Sequence, residues 1–223
     1  VGKMTAVLLK LLSYDHLYDR NVYEYLFLFE EQVRVNSERT NFMFARLIAD
    51  ITFLYHIEKQ WCRKYLLPYL DLKKQNEITE YAWAGLCYTQ INLPLFTEMK
   101  RFIKYAIEHL EVLHPHTREA FLKWLSFVFI KCVLYWEQKT DWLYPLLILE
   151  NEENKIKFMQ FLCYYVKTLS VKEQQKFWTA WLSVFLRERP KMGEITAREY
   201  VMLLRIILYM DEILEKGLCI MSR

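Results

Sequence analysis

The residues with the greatest capacity for chemistry in this 223-residue sequence are its five histidines and five cysteines. His114 and His116 flank Pro115 and could offer two imidazoles to a metal ion. No third ligand lies nearby in sequence, and a proline at this place favours a turn that opens a helix. His56 follows an apolar helical pattern, where an imidazole can bind the last carbonyl groups. We therefore predict neither an acid–base pair nor a metal site.

The cysteines are odd in number, widely spaced and set among apolar residues, and they form no C-x-x-C pair. This pattern is typical of small buried side chains and not of zinc ligands or redox pairs. Free thiols of this kind indicate a reducing compartment, so we predict a cytoplasmic location. The five are Cys62, Cys87, Cys132, Cys163 and Cys219.

Motifs that bind phosphate or activate a nucleophile are missing from the sequence. With four glycines in all, it contains no G-x-G-x-x-G, no G-x-x-x-x-G-K and no G-x-S-x-G. The acidic residues are scattered, whereas magnesium-dependent helical enzymes need clustered carboxylates. We predict no catalytic residue and no cofactor. An enzyme whose groups converge from distant positions is the least favoured alternative.

The charge balance argues against nucleic acid as a partner. Thirty lysines and arginines face 27 acidic residues, which gives a net charge of +3 and an isoelectric point near 8.5. The densest basic stretch contains Arg187, Arg189 and Lys191, interrupted by Glu188. It is interpreted either as a solvated helix end or as a contact site for a partner. The longest apolar run, 121–136, is broken by lysines, so no membrane span is predicted.

Seven tryptophans stand at helical spacing beside other apolar residues. Most are interpreted as core residues. A sharper hypothesis is that Trp142, together with Tyr144, is exposed near a turn and anchors a protein partner, because large aromatic side chains dominate interface energies. The tryptophans are Trp61, Trp83, Trp124, Trp136, Trp142, Trp178 and Trp181.

The elements that must carry these side chains are helices. Hydrophobic residues make up 54% of the chain and glycine and proline are scarce, so there are too few breaks for a sheet protein of this length. Residues 96–110 follow the i, i+3, i+4, i+7 rule with one charged face, whereas 121–136 are apolar on most sides. This alternation predicts an all-α, helical-repeat (HEAT-like) α-solenoid of about eleven helices.

Helix ends and a weak repeat complete the organisation. Ser170 with Glu173, and Thr196 with Glu199, have the spacing of capping boxes. The tripeptide Leu-Cys-Tyr at 86–88 recurs at 162–164, an offset of about 76 residues that would suit two HEAT-type units. We predict a single domain, 1–223, with sub-halves of about 1–114 and 115–223. The start at valine suggests the C-terminal part of a longer chain.

Several short aromatic motifs follow one another along the chain. They are Leu54-Tyr55 followed by Trp61, LLPYLD at 66–71, AWAGL at 82–86, Leu95-Phe96, FWTAWL at 177–182, and RERP at 187–190 before a helix near Glu199. Their order resembles the C-terminal helical domain of bacterial sirtuin-like, NAD-hydrolysing anti-phage defence proteins, and the resemblance covers roughly Asn41 to Leu214.

This resemblance implies a sensor that recognises a phage tail or capsid protein and controls an attached NADase. It implies a second partner, the N-terminal part of the same parent chain. The loops 73–77 and 187–191 are the predicted contact sites, because repeated turns of a solenoid form extended binding surfaces. The chief alternative is a scaffold that forms homo-oligomers without any sensing role, and a nucleic-acid-binding repeat ranks below it.

Overall fold

The computed structural model describes residues 2–35, 38–74, 76–149, 151–210 and 213–221. Across these ranges every regular element is helical and there is no β-strand, which confirms the prediction of an all-α fold. The described part of the chain contains thirteen α-helices and not about eleven. The difference arises because short helices of six to eight residues, such as Ile51–Ile57 and Ser183–Glu188, are separate elements.

The α-helices follow one another along the chain as α1 (Gly2–Leu17), α2 (Tyr23–Val35), α3 (Glu38–Ala49), α4 (Ile51–Ile57), α5 (Lys59–Tyr65), α6 (Glu77–Leu86), α7 (Leu93–Glu108), α8 (Pro115–Leu134), α9 (Glu152–Thr168), α10 (Val171–Phe177), α11 (Ser183–Glu188), α12 (Ala197–Leu208) and α13 (Leu214–Met221). None of them is both long and apolar enough to cross a lipid bilayer, as far as the described ranges go.

Tighter and wider helical turns connect several of these helices. The turn 178–182 has π-helical geometry and joins α10 to α11 without a break. Such π-turns are rare and often occur at functional sites. The 3-10 turns are Leu67–Leu70, Leu72–Lys74, Leu110–Val112, Asp141–Leu143 and Arg189–Met192, and a second π-turn spans Pro145–Leu149.

Polar caps explain where many helices begin. The Ser170 backbone N–H donates to Glu173 Oε2 at 2.9 Å, and the Ser170 side chain accepts from the backbone of Glu173, so the predicted capping box of α10 is confirmed. Asn76, Asn92 and Asn151 cap α6, α7 and α9 in the same way, each accepting from the third amide of its helix. Pro115 begins α8, as its missing N–H allows.

The chain forms two compact units, residues 1–121 and 122–223, and the division falls inside α8. In the first unit, α3 and α6 share the most extensive packing, and Phe44, Leu47 and Trp83 are fully buried. The two helices approach closely at Gly85, where an added Cβ would lie 2.2 Å from the Ala45 carbonyl oxygen. A residue without a side chain is required at this contact.

In the second unit, α9 packs on α12, and a separate cluster of aromatic rings joins residues of α8, α9, α10, the π-turn 178–182 and α11. The Phe129 ring centroid lies 4.8 Å from that of Trp181 and 6.1 Å from those of Phe158 and Phe177, all in edge-on arrangements. Trp181 stacks in turn on Phe185 at 4.8 Å. The prediction that most tryptophans are core residues is confirmed for Trp61, Trp83, Trp124, Trp142, Trp178 and Trp181.

Two sequence-based interpretations are wrong. Leu86 and Cys87 lie at the end of α6, whereas Leu162 and Cys163 lie in the middle of α9, so the repeated tripeptides do not occupy equivalent positions. From the sequence, Gly217 is expected to end a helix, as glycine often does, but it lies within α13, where an added Cβ would come within 2.4 Å of Ile207 Cγ2. The glycine is there because α13 packs closely on α12.

Candidate functional site

An open groove of about 910 Å³ lies in the second unit. Its walls come from the π-turn 178–182, from α11 with the following 3-10 turn, and from α13. Apolar side chains line its floor, and Trp178 and Leu186 among them are buried. The apolar lining consists of Trp178, Leu186, Pro190 and Ile220.

Charged side chains stand at the edges of this groove. Arg187 and Lys191 border it from one wall, and Lys216 and Glu215 border it from α13. All four are exposed. Lys191 Nζ already pairs with Glu188 Oε1 at 2.9 Å, whereas Arg187 and Lys216 have no ion-pair partner in the described part of the chain. The edges therefore present more uncompensated positive than negative charge.

A buried ionic cluster fixes the 3-10 turn that carries Lys191 and directly follows α11, the helix of Arg187. Arg189 lies between them in sequence but is only 2% exposed, and it binds Glu199 through Nε–Oε1 at 2.6 Å and Nη2–Oε2 at 2.9 Å. Its guanidinium also donates to the carbonyl oxygens of Gly193 at 3.0 Å and Glu194 at 2.9 Å. These four hydrogen bonds hold the 3-10 turn 189–192 against the start of α12.

Glu199 has a different role from the predicted one. Its amide donates to Thr196 Oγ1 at 3.2 Å, as a cap requires, but its fully buried carboxylate binds Arg189 and also Lys155 Nζ, which lies 3.2 Å from Oε2. The second half of the predicted capping box at Thr196 is therefore wrong. A buried carboxylate that contacts two cations is stabilised more by those charges than by a hydrogen bond from one backbone amide.

The structure places only some of the predicted partner-binding residues at the groove. Arg187 and Lys191 line the groove, but the burial of Arg189 contradicts its predicted role as an exposed contact. Trp142 is only 2% exposed, which contradicts its predicted role as an exposed anchor, because its indole packs inside the second unit. Tyr144 is 37% exposed but does not line the groove.

Sequence reasoning missed Trp178, Lys216 and Cys219 as groove residues. Trp178 belongs to the FWTAWL motif, whose two tryptophans are three residues apart, and the sequence could not indicate that one of them borders a groove. Lys216 and Cys219 share a face of α13, three residues apart, and this spacing was the available signal.

A family model matches part of the chain. Residues 128–223 match the family model described as Domain of unknown function (DUF4020). The matched region contains every residue that lines the groove but covers less than half of the chain. No curated protein and no solved structure matches the chain.

Of the predicted contact loop 73–77, which belongs to the first unit, the described part borders a smaller cleft of about 610 Å³, and Gln75 lies outside the described residues. Lys74 lines this cleft together with Arg63 and Arg101, while Lys73 Nζ lies 5.0 Å from the Tyr105 ring centroid. The hydrogen bond from Arg63 is the main reason that the pKa of Glu98 falls below its usual range. The cleft therefore neutralises part of its charge through its own lining residues, whereas Arg187 and Lys216 of the groove have no ion-pair partner among the described residues.

The described residues hold no group of three or more histidine, cysteine or acidic side chains placed to bind a metal ion. His114 and His116 lie with ring centroids 5.5 Å apart, at the start of α8. The Glu80 carboxylate accepts hydrogen bonds from the His114 amide and the Thr117 hydroxyl, so it stabilises the first turn of α8.

We expect Cys219 to react with iodoacetamide far faster than the other thiols of the folded chain. Cys219 is exposed in the groove, whereas burial raises the pKa of Cys62, Cys87 and Cys163 to about 12. A shift of that size lowers the thiolate fraction at neutral pH about a thousandfold. Peptide mapping after brief alkylation measures the order, with the unfolded chain as control. Equal labelling of Cys62 and Cys219 would contradict the described burial.

Proposed function

We propose that this chain is a protein-binding domain that holds a segment of another protein in the groove of its second unit. The observation that carries the proposal is the juxtaposition of a buried apolar floor, with Trp178 and Leu186, and two uncompensated cations, Arg187 and Lys216. Covering the apolar floor provides binding energy, and charges at the edge guide and orient the partner.

The composition of the groove favours a protein over a small molecule. It is open and not enclosed, whereas the pockets that bind metabolites bury most of the surface of their ligand. Trp178 is of the residue type most enriched at the energetic centres of protein interfaces. A polypeptide segment can cover such a groove and place an apolar side chain on its floor.

The finer proposal is that the chain senses phage infection. Its support is the resemblance to the helical domain of sirtuin-like anti-phage proteins, which includes the FWTAWL and RERP motifs at 177–182 and 187–190. Residues of both motifs line the groove. The partner would then be a phage tail or capsid protein, and its binding would activate an attached NADase by favouring the active arrangement. A HEAT-like stacking of the helices and a cytoplasmic location belong to this same proposal.

The decisive experiment mixes the whole chain with purified phage tail and capsid proteins, one at a time. Calorimetry measures binding, and the rate of Cys219 alkylation reports whether the groove is covered. We expect one phage protein to bind and to slow alkylation. We also expect R187E/K216E to weaken that binding at least about tenfold, because two favourable charge contacts become repulsive.

Lys172→Glu is the matched control for the charge reversal. Lys172 is exposed in α10 of the same unit and does not line the groove, so its reversal leaves binding unchanged if the groove is the site. Thermal unfolding of each variant checks that the fold is intact. The proposal fails if no phage protein binds, or if binding neither protects Cys219 nor responds to the double reversal.

A second candidate function, a self-associating scaffold, is favoured by one face of α1. Met4, Val7, Leu11 and Tyr14 are all exposed, and they follow one another at spacings of three and four residues. This spacing is that of a helix seam in which a second helix packs. Two copies of the chain could bury the face symmetrically, as most homodimers do.

Self-association is tested by measuring the molar mass in solution by light scattering. If the scaffold function holds, the chain runs above its single-chain mass of 27.4 kDa at micromolar concentration. Leu11→Glu then returns it to that mass, because a charge cannot be buried unpaired in the seam. Lys10→Ala, at an exposed neighbouring position, is the control. A wild-type chain that runs at 27.4 kDa excludes this function.

A further inference from the structure

We infer that the partner segment bound in the groove is acidic and carries a large apolar side chain. This inference rests on the proposed function and specifies the chemistry of the ligand. Its basis is charge complementarity at the groove edge, the apolar character of the groove floor, and the fixed position of the turn 189–192, which carries Lys191 and follows Arg187 of α11.

The charge of the groove edge determines the sign of the charge that a partner segment must carry. Three cations line the groove, Arg187, Lys191 and Lys216, against one lining carboxylate, Glu215. Glu188, the partner of Lys191, compensates one of the cations. Arg187 of α11 and Lys216 of α13 both line the groove, and neither has an ion-pair partner among the described residues. A carboxylate-bearing segment supplies the missing charge, whereas a basic segment would be repelled.

The floor of the groove selects an apolar side chain between those carboxylates. Trp178 lines the groove although it is only 8% exposed. Pro190 and Ile220 also line it, and their side chains carry no hydrogen-bonding groups. An aromatic or large aliphatic side chain would release water from this surface and gain contact with the indole.

The groove is held ready for this ligand by the buried ionic cluster. Arg189 binds the buried Glu199 carboxylate, whereas Pro190 and Lys191 of the same turn, and Arg187 near the end of α11, line the groove. The turn is bound to α12 through Glu199 and through the carbonyl oxygens of Gly193 and Glu194. Side chains carried on a fixed turn lose little freedom on binding, so their contacts contribute more to affinity.

The experiment selects peptides from a displayed random library on the immobilised whole chain, with R187E/K216E used to remove peptides that bind elsewhere. We expect the retained peptides to carry net negative charge and at least one aromatic or large aliphatic residue. A synthetic copy of the most enriched peptide, labelled with fluorescein, is then measured by anisotropy. We expect it to bind R187E/K216E at least about fivefold more weakly and to slow Cys219 alkylation.

Salt and charge-swapped peptides test the electrostatic part separately. Replacing the carboxylates of the peptide by amides weakens its binding to the wild-type chain, and raising salt does the same, because the screening length falls to about 3 Å at 1 M. Replacing them by lysines restores binding to R187E/K216E but not to the wild-type chain. Lys172→Glu again serves as the control and leaves the affinity unchanged.

The inference is overturned if the retained peptides are neutral or basic, or if the amide peptide binds as tightly as the acidic one. It is also overturned if no peptide is retained specifically. The failure of the proposed function is a separate result, because that function is decided by whether folded partner proteins bind, protect Cys219 and respond to the double charge reversal. Neutral peptides that protect Cys219 would therefore reject the acidic ligand and keep the protein-binding groove.

Discussion

Glu199→Gln is expected to lower the free energy of unfolding of the second unit by about 3–5 kcal/mol, because it leaves two buried cations without their counter-charge. Arg189 and Lys155 both bind the Glu199 carboxylate, and none of the three side chains is more than slightly exposed. A loss of this size is a large part of the stability of a typical domain. Urea unfolding followed by circular dichroism and by tryptophan fluorescence measures it.

Glu152→Gln provides the matched control for this prediction. Glu152 pairs with Arg198 at 3.4 Å, and both side chains are substantially exposed, so the loss is expected to be below about 1 kcal/mol. A further variant, in which Lys155, Arg189 and Glu199 become leucine, methionine and leucine, is expected to recover much of the stability, because the desolvation of charge is removed. A small effect of Glu199→Gln, comparable with that of Glu152→Gln, would contradict the buried cluster.

Gly85→Ala is expected to destabilise the first unit by about 1–3 kcal/mol, although alanine favours helix more than glycine by about 1 kcal/mol. The added methyl would lie 2.2 Å from the Ala45 carbonyl oxygen and 2.9 Å from Ala45 Cα, so α3 and α6 must move apart. That movement loosens the packing of Phe44, Leu47 and Trp83. Thermal unfolding measures the loss.

The nature of the clash distinguishes Gly85 from Gly217. At Gly85 the obstructing atoms belong to the backbone of Ala45, so Ala45→Gly cannot relieve the clash. At Gly217 they belong to the side chain of Ile207, so Ile207→Ala does relieve it. A double-mutant cycle is expected to show no favourable coupling between Gly85→Ala and Ala45→Gly. It is expected to show clear favourable coupling between Gly217→Ala and Ile207→Ala. Stability equal to that of the wild type for Gly85→Ala would show that α3 and α6 are further apart than described.

The residues that sequence reasoning assigned correctly are those whose role depends on near neighbours. The helical period in 96–110 appears as α7, and the capping box of Ser170 with Glu173 forms as predicted. A helix and its cap depend on side chains and amides that are only a few positions apart, and these separations can be read directly from the sequence.

The partner-binding residues were predicted less well, because exposure is not a local property. Arg187, Arg189 and Lys191 look alike in sequence, yet two line the groove and Arg189 is buried. Trp142 and Trp178 likewise have similar apolar neighbours, but Trp178 borders the groove and Trp142 does not. A periodic pattern indicates which face of a helix is apolar, but not which element covers that face.

The sequence by itself thus determined an all-helical chain, many of its helix starts and the residues that dominate its core, because these follow from backbone hydrogen bonding and local periodicity. The tertiary structure alone decided how Glu199 is used. Locally it is a good cap, but Arg189, ten residues away, and Lys155, forty-four residues away, come to its carboxylate through packing. Two buried cations attract the Glu199 carboxylate more strongly than one amide does. The contact between Glu199 and Arg189 holds the turn 189–192 in place, and Lys191 of that turn and Arg187 just before it line the groove.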